Sequence, residues 1–566
     1  FTVRQYPPEW DISSCVNYVG DFFENARQLD SIPFFISMNC EHVSPVQTVS
    51  KIKTKALSVG YQAFGPMAKW IPKVAMKKQE FDKFVMMLED GASPIYGYLH
   101  IMIYANDLKE LEEYTGQVLT LYRSLGFTLQ KDDLIGLPLF LQSIPLGYIP
   151  EAQNFLMRRK TFTTHNVAEL APLQAEWKGF GQPAFFLIGR RGQLQHFNLF
   201  DNPAGGYSAV VVASTGSGKS FFVNEIIYSY LSIGAKLWVI DIGRSYEKLC
   251  NLFNGEFIVF GKDTKINLNP FTFIESIDEE ITILKDIVSQ MASKTPLDDL
   301  SKSYIESAIK QVFSEKANKT TITDVANALL SMEDPRARDI GTMLFPYTAR
   351  GAYAEYFEGD ANVSFKTNFT VLELEELKTK TDLRDVVLLA LIYQIQREIA
   401  MDRTQMKILI IDEAWDLLTG GNVSNFIEAS YRRFRKYKGS CITVTQSVND
   451  FHRIPAGVAI IENADFLFLL RQRAESIEAL KQTQRVVLSN YYYDLLKSLK
   501  TDVGNYSEIF VYTPVGATVG RLIVDRFTQL LYSSKADEYT KIKSYMDRGY
   551  DVIKAIEAVM AEEENA

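Results

Sequence analysis

Cysteine is scarce in this chain, and Cys15, Cys40, Cys250 and Cys441 lie far apart with no CxxC pair among them. That spacing offers neither a disulfide framework nor a thiolate zinc site, and it fits a reducing, cytosolic compartment. Histidine is nearly as rare. His42, His100, His165, His196 and His452 fall at no metal-ligand spacing, so none is assigned a catalytic or metal-binding role. Long apolar runs are missing as well: the longest, Val386 to Tyr393, is far short of the ~20 residues that a membrane-crossing helix needs. Excess positive charge is absent. With 60 Lys and Arg against 69 Asp and Glu, the net charge is −9 and the pI near 5.4, which excludes a broad nonspecific nucleic-acid footprint and confines any DNA contact to a local groove or pore. The chain also lacks an initiator methionine, so it reads as a piece or trimmed form of a longer one whose missing segment carries any targeting information.

What is present suits a soluble multidomain protein. Hydrophobic residues at 47% and charged residues at 23% exclude a disordered or fibrous class, and 566 residues suggest about three or four domains. Residues 1–165 mix strand and helix patterns. Tyr96–Tyr104 reads as a strand, Asn106-Asp107 as a helix start, and Leu108, Leu111, Val118, Tyr122 and Leu125 recur at helical spacing until Gly126. This is an α+β domain. Next, Phe185–Ile188 and Leu194–Phe197, separated by Gly189-Arg190-Arg191-Gly192, have the composition of a β-hairpin. Apolar strands then alternate with helices over 166–274 and 351–533, the pattern of an α/β domain with a parallel sheet covered on both faces. Between them, 275–350 reads as an all-helical insertion whose first helix is opened by a Ser276/Glu279 capping box. A helical tail, 534–566, carries two amphipathic stretches broken at Gly549.

The chemistry concentrates in the α/β domain. Ala213-Ser214-Thr215-Gly216-Ser217-Gly218-Lys219-Ser220 follows the apolar strand Ala209–Val212 and precedes the helical run from Phe221. A glycine-rich loop between strand and helix is a phosphate cradle: its N–H groups wrap a phosphate, Lys219 reaches the terminal phosphates, and Ser220 binds Mg²⁺. Ala213 stands where the strict pattern has its first glycine, so that position is expected to avoid a left-handed backbone. Ile408–Ile411 is a buried strand ending in Asp412 and Glu413. Pleating turns these two side chains apart, Asp412 toward the Mg²⁺ shell and Glu413 toward the attacking water. Gln446 closes the next strand, where it can sense the γ-phosphate. The run Arg432-Arg433-Phe434-Arg435-Lys436-Tyr437-Lys438 is expected on the helix joining those strands, with Arg435 the candidate for stabilising a transition state from a neighbouring subunit. Arg471 and Arg473 follow a strand and read as strand-end ion pairs.

In these motifs the chain resembles the TraC-type ATPases of conjugative type IV secretion systems, members of the HerA/FtsK group of RecA-like motors. The resemblance rests on Asn202-Pro203-Ala204-Gly205-Gly206-Tyr207, Val239–Tyr246, Ile266–Phe271, Asp412-Glu413-Ala414-Trp415, Arg435-Lys436 and Thr445-Gln446-Ser447. It spans most of 180–560 and the N-terminal part more loosely. It implies a RecA-like P-loop core, ATP and Mg²⁺ as cofactors, and a homo-oligomer, a hexamer. It further implies a peripheral place at the cytoplasmic face of the bacterial inner membrane, among inner-membrane secretion components and other secretion ATPases. There it would energise pilus assembly and transfer of DNA or protein, with the N-terminal domain serving assembly and membrane docking. The group's Arg-Lys pair before the glutamine strand lifts Arg435 above its neighbours. Two other readings share the core: a DNA-pumping coupling protein, for which a basic pore and a membrane anchor are expected, and an ATP-gated scaffold with little turnover.

Overall fold

Ala209–Val212 is buried on both faces along its whole length, and the larger part of the molecule is organised around it. The computed structural model describes residues 1–20, 29, 32–64, 72–173, 176–261, 265–363, 365–413, 421–452, 455–483, 488 and 490–564. Ala414 and Trp415, quoted above for the resemblance, lie outside them. The chain divides into two units, Phe1–Ala175 and Glu176–Ala566.

The first unit is a five-stranded antiparallel sheet with helices. Strands β1 (Thr2–Gln5), β2 (Phe34–His42), β3 (Pro94–Ile103) and β4 (Thr128–Gln130) run in the order β2-β3-β1-β4, and β5 (Lys160–Thr163) pairs with β3. The expected helix spans Leu108–Ser124. Asp107 caps it by accepting from Glu110 N at 2.8 Å, while Glu110 Oε2 accepts from Asn106 N at 2.7 Å. One of the orphan N–H groups at its start is satisfied by the first bond, and the second ties down the residue before the cap. Its buried face carries Val118, Leu121 and Tyr122, packed with Tyr18, Leu99, Ile101 and Phe127.

The second unit holds one twelve-stranded mixed sheet. Seven strands are parallel: β8 (Ala209–Val212), β9 (Lys236–Asp241), β10 (Glu256–Val259), β11 (Phe369–Glu373), β12 (Lys407–Ile411), β13 (Gly439–Thr445) and β14 (Phe466–Leu470), in the order β10-β11-β9-β12-β13-β8-β14. Strands covered on both faces read as unbroken apolar runs, which is why this half is plain in the sequence. The parallel sheet does not end at β14. It continues antiparallel through β16 (Tyr506–Thr513) and β17 (Gly516–Leu522) to the hairpin β6 (Phe185–Gly189) and β7 (Leu194–Phe197), with β15 (Thr501–Asp502) beside β16. The hairpin is therefore a far edge of the sheet, joined through Gly189 and Gly520.

The stretch 275–350 is helical, with helices Ile277–Ala292, Asp299–Lys316, Ile322–Ser331 and Pro335–Met343. The Ser276/Glu279 capping box is not formed. Ser276 has ψ 112° and makes no side-chain cap bond, whereas Thr321, with ψ 169°, aims its hydroxyl at Asp324 N and completes a box with Asp324. At Ser276, Glu275 N instead donates to Glu280 Oε1 at 3.0 Å. The tail forms helices Ala536–Met546 and Val552–Glu564, whose Ile542, Val552, Ile556 and Val559 belong to the same core as Phe222 and Val223 of the helix after the phosphate loop. Each such buried side chain contributes ~1.5–3 kcal/mol of transfer free energy, so the tail is part of the core and not an appendage.

Candidate functional site: a phosphate loop and a two-carboxylate strand end

The loop after β8 is held from three sides by main chain. Ala213 N donates to Thr445 O at 3.0 Å, Ser214 Oγ donates to Arg471 O at 2.7 Å, and Ser217 Oγ returns to Ser214 O at 2.6 Å. Arg471 thus supports the loop through its carbonyl. Ser217 is fully buried and serves the loop's own turn. The left-handed positions are Gly216 (φ 75°) and Gly218 (φ 94°), and Ala213 is not among them, which is why alanine is accepted there. Gly218 is constrained twice: a Cβ there would lie 2.5 Å from Ser507 Oγ. The helix Lys219–Ser232 begins at once, with Phe222 N donating to Gly218 O, so its N-terminal N–H groups and dipole face the cradle.

Strand β12 brings the two carboxylates to this loop. Lys219 Nζ donates to Asp412 Oδ1 at 2.9 Å and also to Glu413 Oε1. Burial by itself pulls the Lys219 ammonium down, but the charges of Asp412 and Glu413 outweigh it and the net shift is upward. Glu413 stands at φ 52°, a left-handed conformation uncommon outside glycine and asparagine, and its N–H donates to Asp412 Oδ1. Gln446 Nε2, at the end of β13, lies 3.2 and 3.3 Å from the two Glu413 oxygens, and Thr215 Oγ1 donates to Gln446 Oε1 at 3.3 Å. Ala213, Ser214, Thr215, Gly216, Gly218, Lys219, Ser220 and Phe221 line one cavity of about 430 Å³ together with Asp412, Glu413 and Gln446. Three sequence segments therefore converge on one site.

A second layer of acid was not singled out from the sequence. Asp241, at the end of β9, accepts from Ile242 N and Ser245 N at 2.8 and 2.7 Å. Glu373, opposite it on β11, accepts from Gly243 N, Arg244 N and Glu375 N. Burial, then the charges of Asp412 and Glu373, hold the Asp241 carboxyl well above the usual carboxylate range. Tyr246 OH donates to Asp412 Oδ2 at 2.7 Å, so both oxygens of Asp412 are occupied from different directions. The available signal was the one that revealed Asp412: an acid at the carboxyl end of an apolar strand in a parallel sheet.

Arg435 lies elsewhere. The helix expected to carry it, Gly421–Arg433, stops short, and Arg435 sits exposed in the single 3₁₀ turn Phe434–Tyr437 that leads into β13. Gln446 is at the opposite end of that strand, so Arg435 is separated from its own phosphate loop by roughly 20 Å of extended chain. Its guanidinium carbon lies 3.9 Å from where a Cβ on Gly205 would stand, against the loop Asn202–Tyr207. That loop is clamped by Asp465, which accepts from Asn202 Nδ2 at 2.6 Å and Gly206 N at 2.8 Å. Arg432, by contrast, is spent on an i,i+4 pair with Glu428.

Residues 200–563 match the family model of the TraG P-loop domain. The chain belongs to that family. Residues 1–148 match the model of the TraC protein. Protein TraC of Escherichia coli K12 is 26% identical over 575 residues, covering 93% of this chain and 63% of its own length. Conjugal transfer protein TrbE of Rhizobium radiobacter is 21% identical, over 63% of this chain and 44% of its own. The chain thus spans less than two thirds of these relatives. The structure of VirB4 of Thermoanaerobacter pseudethanolicus superposes with a TM-score of 0.54 at 21% identity, covering 63% of this chain and all of that one, and so shares its fold. Among the described residues no helix is long and apolar enough to cross a membrane.

Proposed function

We propose that this chain is an ATP-hydrolysing motor of a bacterial conjugative type IV secretion system, energising pilus assembly and transfer of DNA or protein. The observation that carries the reading is the convergence of Lys219, Asp412, Glu413 and Gln446 on one phosphate loop at the carboxyl edge of a parallel sheet. Similarity to TraC and to a conjugal transfer protein supports the secretion role. The motor acts as a homohexamer, peripheral at the cytoplasmic face of the inner membrane, with inner-membrane secretion components and other secretion ATPases as partners.

The residues fit a Mg²⁺-bound nucleoside triphosphate. Left-handed Gly216 and Gly218 shape a cradle, and Ser220 and Asp412 line one cavity as a hydroxyl and a carboxylate suited to a hard cation. Held by Ser220 and Asp412, Mg²⁺ would supply positive charge against the bound triphosphate. Loop N–H groups and Lys219 hold the phosphates. Lys219 must leave Glu413 to do so, and that departure frees a Glu413 oxygen to take a proton from water while Gln446 orients it. Arg435, remote from its own loop and exposed, serves a neighbour's γ-phosphate, so turnover depends on assembly.

The test is genetic and biochemical together. Lys219→Ala should abolish ATP turnover by the purified protein and pilus-dependent transfer by cells that carry it as their sole copy. Transfer at the wild-type frequency from a variant without ATPase activity would refute the motor role.

A further inference from the structure

Ser220 and Asp412, the two groups suited to the cation, come from the start of a helix and the end of a strand, and one buried amide helps to tie the two together. Asn224 stands one turn after Ser220 on the helix Lys219–Ser232 and is fully buried. Its Nδ2 donates to Ser220 O at 2.8 Å and to Ser245 O at 3.4 Å, which uses both amide hydrogens. Two carbonyls on that side fix which end of the amide carries the nitrogen. Its Oδ1 is buried and has no hydrogen-bond partner among the described residues. An apolar side chain would suit stability better at such a place, because a buried amide oxygen left unpaired is unfavourable. What Asn224 brings to the site is its two donors.

The loop that Asn224 reaches is held from its other side as well. In Ile242–Ser245 four consecutive N–H groups point at two carboxylates: Ile242 and Ser245 at Asp241, and Gly243 and Arg244 at Glu373, the last two at 3.2 and 2.6 Å. Gly243 (φ 126°) and Arg244 (φ 57°) pass through positive φ to make this wrap. Both carboxylates are 1% exposed, so their acceptor capacity is turned on the main chain. The loop ends at Tyr246, whose OH holds Asp412 Oδ2, while Ile242 and Ser245 face the cavity. Three elements thus fix one tyrosine: β9 through Asp241, β11 through Glu373, and the helix after the phosphate loop through Asn224. We propose that Asn224 and Glu373 are positioning residues that set the separation of Ser220 and Asp412 by holding the Ile242–Tyr246 loop between them, and so govern the grip on Mg²⁺ and not that on the nucleotide. The proposal rests on the nucleotide-binding reading above.

The experiment measures ATP affinity of the full chain by calorimetry over a series of free Mg²⁺ concentrations, with EDTA as the zero point. Asn224→Leu keeps the branched shape and removes both donors, and Glu373→Gln replaces one of two acceptor oxygens. Each should raise the Mg²⁺ concentration for half-maximal tightening by about tenfold, the scale for a residue that orients a metal ligand, and leave ATP affinity in EDTA within about twofold. In a Tyr246→Phe background, Asn224→Leu should shift the profile by less than it does alone, because both act through one hydroxyl. Full additivity would overturn that route to Asp412. A profile unchanged from wild type in either variant overturns the assignment of that residue. Equal loss of ATP affinity with and without Mg²⁺ makes the loop a general support of the cavity and overturns the proposal, as does loss of the folded state in both variants. Wild-type protein that binds ATP with no response to Mg²⁺ also overturns it, yet leaves the nucleotide-binding reading intact. Wild-type protein that binds no ATP at any Mg²⁺ concentration overturns the reading beneath it.

Discussion

Tyr246 donates its phenolic proton to Asp412 Oδ2 at 2.7 Å, and the two groups are buried together behind the phosphate loop. The bond leaves Oδ1 as the oxygen that faces Lys219. Tyr246→Phe keeps the ring and removes the donor, stranding a buried carboxylate oxygen at a cost of ~1–3 kcal/mol. The expected result is a shift of the Mg²⁺ dependence of nucleotide binding to higher concentration by about tenfold, beside a fall of a few degrees in the melting temperature. A Mg²⁺ titration identical to wild type would mean that Asp412 is oriented without the tyrosine.

Glu413 and Lys219 divide binding from turnover. Glu413→Gln should retain ATP while hydrolysis falls ~10²–10⁴-fold, the range for loss of a general base. Because Lys219 loses one of its two acidic partners, ATP affinity should not fall. Lys219→Ala should lose tight binding. Equilibrium binding and single-turnover hydrolysis measure both, and wild-type turnover in Glu413→Gln would remove that residue from the reaction.

Arg435 is tested by mixing. Arg435→Ala alone should lose ~10³-fold or more in turnover with nucleotide binding nearly intact. Mixed with Lys219→Ala subunits, it should recover part of the activity, because one interface then pairs an intact loop with an intact arginine. Mixed oligomers that stay as inactive as either parent would exclude action in trans.

The first unit carries an acid-sensitive histidine. Burial, the largest cause, pushes His100 down to about 4 from 6.5, and its Nδ1 is 2.8 Å from Ser143 Oγ. Between those values the unfolded chain binds a proton that the folded chain does not, so stability rises with pH across the window and is lost as pH falls from 6.5 toward 4. The loss is roughly 2–3 kcal/mol for a group so fully buried. Thermal melts over this range should show a shallower decline for His100→Asn than for wild type. Parallel declines would mean that other groups account for the acid sensitivity.

In the antiparallel half of the large sheet, the buried carboxylate of Glu508 is shared by two arginines, Arg190 and Arg521, the latter donating from Nε to Oε1 at 3.2 Å. Arg190 Nε and Nη2 donate to the two oxygens of Glu508 at 3.0 and 2.7 Å, and Nη1 donates to Ser498 Oγ. Removing one partner leaves the other charged and buried, so Glu508→Ala should cost ~3–5 kcal/mol. Chemical denaturation reads this directly, and a cost below about 1 kcal/mol would show that water or a neighbour compensates.

The parallel half of the sheet was legible because its strands announce themselves. Ile408–Ile411 and Ala209–Val212 are unbroken apolar runs, and each is followed at once by the residues that carry chemistry. The antiparallel half was not. Gly516–Leu522 mixes two glycines and an arginine into its strand, and Arg190, which reads as part of a polar turn, is almost fully buried against a partner 318 residues away. No window of local pattern contains that pairing. The same limit applied to the site: Lys219, Asp412, Glu413 and Gln446 each end or begin a local motif, whereas Tyr246 matters only through a neighbour brought by another strand. Ser276 failed as a cap for a subtler reason, a backbone angle that sequence does not display.

The join between Gly189 and Gly520 also sets a clock for synthesis. The β6–β7 hairpin is made before the phosphate-loop strand, but its neighbour in the sheet emerges 331 residues later. At ~5–20 residues per second, a ribosome leaves that strand edge waiting for roughly a quarter of a minute to a minute. Throughout that interval Phe185, Leu187 and Phe197, all buried in the finished core, have no sheet to complete. A nascent chain with an open apolar edge is prone to pair with another copy of itself. The yield of folded protein should therefore rise when translation is quickened or chaperones are abundant, long before any nucleotide is bound.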